Sequence, residues 1–189
     1  MRATLAGSIP ASKLTLPVAG RDHIQGPIGA PIALVEYGDY ECPFCGEVYP
    51  IIKAIQGRLG KNLCFAFRHF PFSNAHPHSE LAAQAAEAAG AQGSFWEMHG
   101  LLFENQDALE LDDISQYGEA LGLDAARLAA EVLDGVFAGR VREDFRSGVR
   151  AGVNGTPTFF INGTRYDGAR GLDPLLAALT QQPGERLAF

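Results

Sequence analysis

Residues 36–45 read Glu-Tyr-Gly-Asp-Tyr-Glu-Cys-Pro-Phe-Cys. Two cysteines stand three apart. Before them runs the apolar stretch Ile32, Ala33, Leu34, Val35, which closes at Gly38. Such a stretch fits a strand buried on both faces of a parallel or mixed sheet. After them, Val48, Ile51, Ile52, Ile55 and Leu59 recur at i, i+3, i+4 and i+7, the spacing of one apolar helix face. Gly57 and Gly60 help to end that helix. Pro50, inside it, removes one backbone hydrogen bond and is expected to kink it. The cysteines therefore fall on the turn from strand to helix. Cys42 takes the N-cap. Pro43 takes the first helical position, where its missing N–H costs nothing. Cys45 lies one turn further in.

A sulfur at this place has a physical advantage. The first N–H groups of a helix have no partners in the helix and point towards it. The helix dipole adds partial positive charge. Both favour thiolate over thiol, which lowers the pKa from about 8.5 towards roughly 3.5–7.5 in Cys-x-x-Cys sites. Three uses of the pair compete. A structural disulfide would close a very small loop in a chain that already has apolar material for a core. A zinc site needs about four ligands; Cys64 is the one cysteine left, so His69, His76 or His78 would have to be recruited. A redox dithiol needs nothing more than the pair. In that reading Cys42 attacks a substrate disulfide and Cys45 resolves the mixed disulfide. Glu36, six residues before Cys42, is either a strand-end residue facing water or a buried acid. A buried one would have a raised pKa and could take the proton from Cys45.

The rest of the chain places the site. Residues 1–28 are rich in Gly, Pro, Ala and Ser and read as a flexible arm with at most a short strand. Asn62–Phe70 is strand-like, with Leu63, Phe65 and Phe67 alternating against Cys64, Ala66 and Arg68. Residues 79–150 read as almost wholly helical, starting at Ser79 as a cap. Thr156–Ile161 is a strand, Asn162-Gly163 a turn, Thr164–Tyr166 a short strand and Leu172–Thr180 a closing helix. The last residues, 181–189, read as a frayed tail. The order is β, α, β, a helical block, β, β, α. The expected fold class is α/β, a mixed sheet with an inserted helical subdomain over about 76–152, in a domain of 29–189.

At this point VEYGDYECPFC resembles the active-site strand and turn of the thioredoxin superfamily, in its DsbA-like branch. Glu36 matches the buried acid of that superfamily. Pro50 matches its helix-kinking proline. GTPTFFING resembles its cis-proline loop and following strand, and the helical block resembles the DsbA-like insertion. The resemblance runs from about Pro31 to Leu179. It implies a thiol–disulfide oxidoreductase or isomerase acting on protein or peptide cysteines. Cys42, Cys45 and Glu36 would carry the chemistry, and Pro43, Phe44, Thr156 and Pro157 would face the substrate. The Thr156 backbone could pair with an extended substrate by β-addition. No bound cofactor or metal is implied, because the electrons reside on the cysteines; a separate redox partner must recycle them. Alternatives are a small-thiol, glutathione-linked enzyme or a non-enzymatic binding or metal-carrying module.

Finer points follow from composition and neighbours. Pro43 and Phe44 carry no charge, and Asp39 and Glu41 add negative charge that disfavours a thiolate. The expected potential lies between about −120 and −270 mV, which leans towards the reduced dithiol in a glutathione-poised cytosol. Net charge is −7, which argues against a nucleic-acid partner. No stretch approaches the roughly 18 apolar residues of a membrane span, and the N-terminal residues make a poor secretory signal. The expected location is cytoplasmic, with a processed periplasmic form as the alternative. Cys64 reads as a small buried hydrophobe. The His76-Pro77-His78 segment reads as a helix entry. Phe95, Trp96, Met98, His99, Leu102 and Phe103 are expected to pack the helical block onto the sheet.

Overall fold

The computed structural model describes residues 12–181. The first part of the expected arm, 1–11, and the tail beyond Gln181 lie outside the described residues. Strands β1 (His23–Gln25), β2 (Ile32–Gly38), β3 (Leu63–His69), β4 (Thr158–Ile161) and β5 (Thr164–Tyr166) form one sheet in the order β1-β3-β2-β4-β5. Only β2 and β3 run parallel; the other pairs are antiparallel. A parallel pair needs a crossover, and helix α1 (Pro43–Leu59) supplies it. Between β3 and β4 come α2 (Ser79–Gly90), α3 (Phe95–Glu104), α4 (Leu111–Ala120), α5 (Ala125–Leu133) and α6 (Ala138–Arg150). Helix α7 (Leu172–Gln181) follows β5.

Alternation along the central strands divides the core into two. Leu34, Phe65, Phe67, Phe159 and Ile161 pack with α1, α3 and α7 on one face. Val35, Tyr37, Cys64, Ala66 and Phe160 pack on the other with Phe70, Val153 and Val18. Glu36 shares the first face with Leu34, and in register it lies between Phe67 and Phe159. A carboxylate is thus placed in the apolar layer beneath α1. The aromatic run of α3 packs as expected: Trp96 meets Phe65 and His99 meets Phe67, with ring centroids 5.8 and 4.7 Å apart.

Residues 12–28 differ from the loose arm read in the sequence. Arg68 is fully buried on the second face. A buried guanidinium needs all its donors met; the Tyr37 hydroxyl on β2 accepts from Nη1 at 3.0 Å, and this segment meets the rest. Asp22 accepts from Nε and Nη2 at 2.8 and 3.1 Å, and Leu16 and Pro17 offer carbonyls at 3.0 and 3.2 Å. Leu14 N–H donates to Gly163 at 2.8 Å and Arg165 N–H to Ser12 at 2.9 Å, so the segment also covers the open edge of β5.

Candidate active site

Cys42 caps α1 with φ −75° and ψ 119°, and Pro43 follows in the first turn. Its carbonyl accepts from the N–H groups of Cys45 and Gly46 at 3.0 and 3.1 Å. The same carbonyl and that of Tyr40 accept from the Gln106 amide at 2.9 and 2.7 Å. Gln106, in the loop after α3, thereby ties the helical insertion to the cysteine turn. All three cysteines are free thiols. Cys45 is fully buried and Cys42 is 4% exposed, while Phe44 between them is 56% exposed. The Thr156–Pro157 bond is cis. This loop lies against Cys42, whose Sγ–H donates to the Thr156 carbonyl at 3.5 Å.

The two sulfurs hold protons with opposite strength. The hydrogen bond from Cys45 brings the Cys42 pKa down to about 5. Burial opposes this, and the Thr156 side chain and the backbone at Cys45 and Phe44 assist it. Cys45 is pushed well above the ordinary thiol value by burial, then by its bond to Cys42 and by the Glu36 charge. Glu36 is itself raised from 4.5 to about 8, first by burial and then by the Cys42 charge. It lines a cavity of about 150 Å³ with His99, Tyr49, Lys53, Gln25 and Gln56. Ile52, Phe65, Trp96 and Phe103 complete the lining, so Glu36 borders a space of mixed polar and apolar walls.

Asp39 and Glu41 do not stand as free negative charges beside Cys42. Asp39 is buried and accepts from Glu41 N–H at 2.9 Å, Phe72 N–H at 2.8 Å and His76 Nδ1 at 2.7 Å. Glu41 accepts from His78 N–H at 2.6 Å and pairs with His78 Nδ1 at 3.0 Å. Two of the three imidazoles proposed from sequence as possible metal partners, His76 and His78, are thus each engaged by a carboxylate. His69 bonds Glu87 at 3.0 Å, and Glu87 also binds His23 at 3.0 Å. His69, Glu87 and Asp144 bring ligand atoms within 4.8 Å of one another. There the Arg140 guanidinium lies 3.6 Å from Glu87 and pairs with Asp144, so the positive charge comes from the protein.

The structure brings Cys42, Cys45, Glu36, Pro43, Phe44, Thr156 and Pro157 to one place. Cys64 lies apart on the second face, 1% exposed, with burial raising its pKa to about 11. Sequence reasoning missed Gln106 and the pairing of residues 39 and 41 with 76 and 78. A signal for the pairing exists. Asp-x-Glu and His-x-His share the same two-residue spacing.

Comparison with known proteins bears on the family and the fold. A profile of the family described as Thioredoxin matches residues 19–181. The Na(+)/H(+) antiporter NhaA 1 of Salinispora arenicola is 43% identical over 180 residues, which is 95% of this chain and 28% of that protein. The chain thus spans little more than a quarter of that relative. No described helix is long and apolar enough to cross a membrane. Among solved structures, oxidised BdbD from Bacillus subtilis superposes with a TM-score of 0.80 at 23% identity, covering 91% of this chain and 96% of that one. Wolbachia pipientis alpha-DsbA1 gives 0.78 at 19% identity, covering 92% and 96%.

Proposed function

The chain belongs to the thioredoxin family, in its DsbA-like form, and from that premise we propose that it is a thiol–disulfide oxidoreductase acting on cysteine-containing proteins or peptides. The observation that carries the proposal is geometric: Cys42 caps α1, the fully buried Cys45 stands one helical turn behind it, and the Thr156–Pro157 loop lies against the Cys42 sulfur. Cys42 is a thiolate at neutral pH, and Cys45 holds its proton. The Cys42 thiolate attacks one sulfur of a substrate disulfide. That S–S bond breaks, a mixed disulfide forms, and the second substrate sulfur leaves as a thiolate. Cys45 passes its proton to the Glu36 carboxylate and attacks the Cys42 sulfur. The substrate departs reduced by two electrons, and a Cys42–Cys45 disulfide remains. Run backwards, the same steps donate a disulfide.

Exposed Phe44 beside Cys42, and the Thr156–Pro157 loop against it, support an extended peptide substrate over a small thiol. The stabilised Cys42 thiolate favours the reduced pair, which makes the disulfide more oxidising than that of a thioredoxin whose thiol titrates near about 7. A separate dithiol or disulfide partner recycles the pair, and the compartment sets the direction. The proposal concerns the segment shared with the antiporter-named relatives, not their remaining length.

The test is a titration of the pair in glutathione buffers, read by thiol alkylation and mass. A potential between about −120 and −270 mV is expected. Cys42→Ser abolishes insulin-disulfide reduction, and Cys45→Ser accumulates the mixed disulfide. Failure of Cys42 and Cys45 to form a disulfide at any potential would overturn the reading.

A further inference from the structure

We propose that His76 is a positioning residue of the cysteine pair, one that holds the Asp39 turn and takes up a proton when the Cys42–Cys45 disulfide is reduced. The inference rests on the thiol–disulfide reading above and extends it to a residue outside the cysteine motif.

The geometry begins with Asp39. Its side chain is wholly buried, and its two oxygens serve Glu41 N–H, Phe72 N–H and His76 Nδ1. Its backbone carbonyl accepts from Cys42 N–H at 3.2 Å. Asp39 is therefore the hub of the turn that presents the nucleophile. A buried carboxylate on the same turn as a sulfur that must become an anion is unfavourable, because like charges in a low-dielectric site repel. A proton on His76 converts Asp39 into half of a neutral ion pair and removes that repulsion. In the disulfide state the sulfur carries no charge, and the demand for the proton is weaker. Proton uptake at His76 is thus coupled to reduction, and by reciprocity the charged imidazole favours the Cys42 thiolate.

Three further observations fit this role. The His76 side chain is 22% exposed, so its proton exchanges with water. The Ser79 hydroxyl donates to the His76 carbonyl at 2.9 Å, which fixes the segment at the entry to α2. The neighbouring His78–Glu41 pair repeats the arrangement with 40% and 18% exposure, where solvent screens it more. The titratable groups facing His76 are Asp39 and Glu41 on the turn and Cys42 at the start of α1, with His78 on its own segment. Burial works to lower the His76 pKa, but Asp39 first, then the Cys42 and Glu41 charges, carry it above the ordinary histidine value.

Two electrons from a substrate dithiol break the Cys42–Cys45 bond, and that dithiol becomes a disulfide. Of the two protons that the substrate dithiol gives up, one goes to the Cys45 sulfur, and the other is divided between the His76 imidazole and solvent in proportion to the rise of the His76 midpoint. Cys42 remains a thiolate.

The experiment is a side-chain NMR titration of the histidines in the full chain, once oxidised and once reduced with dithiothreitol. The His76 midpoint should be higher in the reduced protein by about half a pH unit or more. Reduced Cys42→Ser should show the lower, disulfide-like midpoint. In His76→Gln, which keeps a polar group of similar length, the Cys42 thiolate absorbance should titrate at higher pH than in wild type. Equal His76 midpoints in the two redox states would overturn the proposal, and this comparison needs no variant. A Cys42–Cys45 disulfide that forms while His76 stays unmoved sinks this proposal alone. Absence of any such disulfide sinks the oxidoreductase reading with it.

Discussion

Glu36 shows how one residue can serve chemistry at the expense of stability. Its pKa is about 8 in the folded chain against an ordinary 4.5, because burial penalises the carboxylate and the Cys42 charge adds to that. Between those values the folded state keeps a proton that the unfolded state has lost. The contribution of Glu36 to stability is therefore fully present below about pH 4.5 and is lost as pH rises through about 8. Glu36→Gln should flatten this dependence and raise stability at pH 8.5 by on the order of a few kcal/mol, relative to wild type. Urea unfolding at pH 5 and pH 8.5 measures it. The same substitution should slow attack by Cys45 and erase the rise of the resolving rate through pH 8, which quenched-flow trapping of the mixed disulfide would follow. A variant that resolves at the wild-type rate across that range would remove Glu36 from the mechanism.

At the scale of the element, the N-terminal turn of α1 depends on what is packed over it. A Cβ on Gly46 would run into the Gln106 amide, the group that holds the Tyr40 and Cys42 carbonyls. Gly46→Ala should therefore destabilise the chain by about 1–3 kcal/mol. Gly57 offers a control in the same helix. Nothing lies within 4 Å of its would-be Cβ, and Gly57→Ala should stabilise by about 0.5–1 kcal/mol. Paired urea melts of the two variants test whether close approach to the insertion, rather than helix propensity, governs this turn. Equal effects at the two sites would remove Gln106 from the account.

Across the whole molecule, the buried Arg68–Asp22 pair joins the N-terminal segment to the second face of the sheet. Asp22→Asn leaves the guanidinium buried with its charge uncompensated, and the expected loss is about 3–5 kcal/mol. Urea unfolding reports that loss, and faster proteolytic cleavage within residues 12–22 would show which part loosens first. Unchanged stability would mean that Leu16, Pro17 and Tyr37 suffice to hold Arg68.

Periodicity alone determined most of the architecture. The apolar run at 32–35, the helical spacing after Cys42 and the alternation over 63–68 mark β2, α1 and β3, because each element shows its buried face as a local repeat. The cysteine pair was legible for the same reason: three residues on a helix bring two sulfurs together. Glu36 and the Thr156–Pro157 loop were placed beside the pair only through the family resemblance, and the rest of its surroundings was not legible, because the site is assembled from distant parts of the chain. His76 reaches Asp39 across 37 residues, Gln106 reaches Cys42 across 64, and Thr156 reaches Cys42 across 114. Asp39 and Glu41 therefore read in sequence as two bare negative charges, yet the fold gives each an imidazole. Arg68 likewise read as one position in an alternating strand, and only the packed arm explains its burial. Local repeats specify elements; charge state and proton affinity depend on burial and partners, and those exist only once the chain has folded.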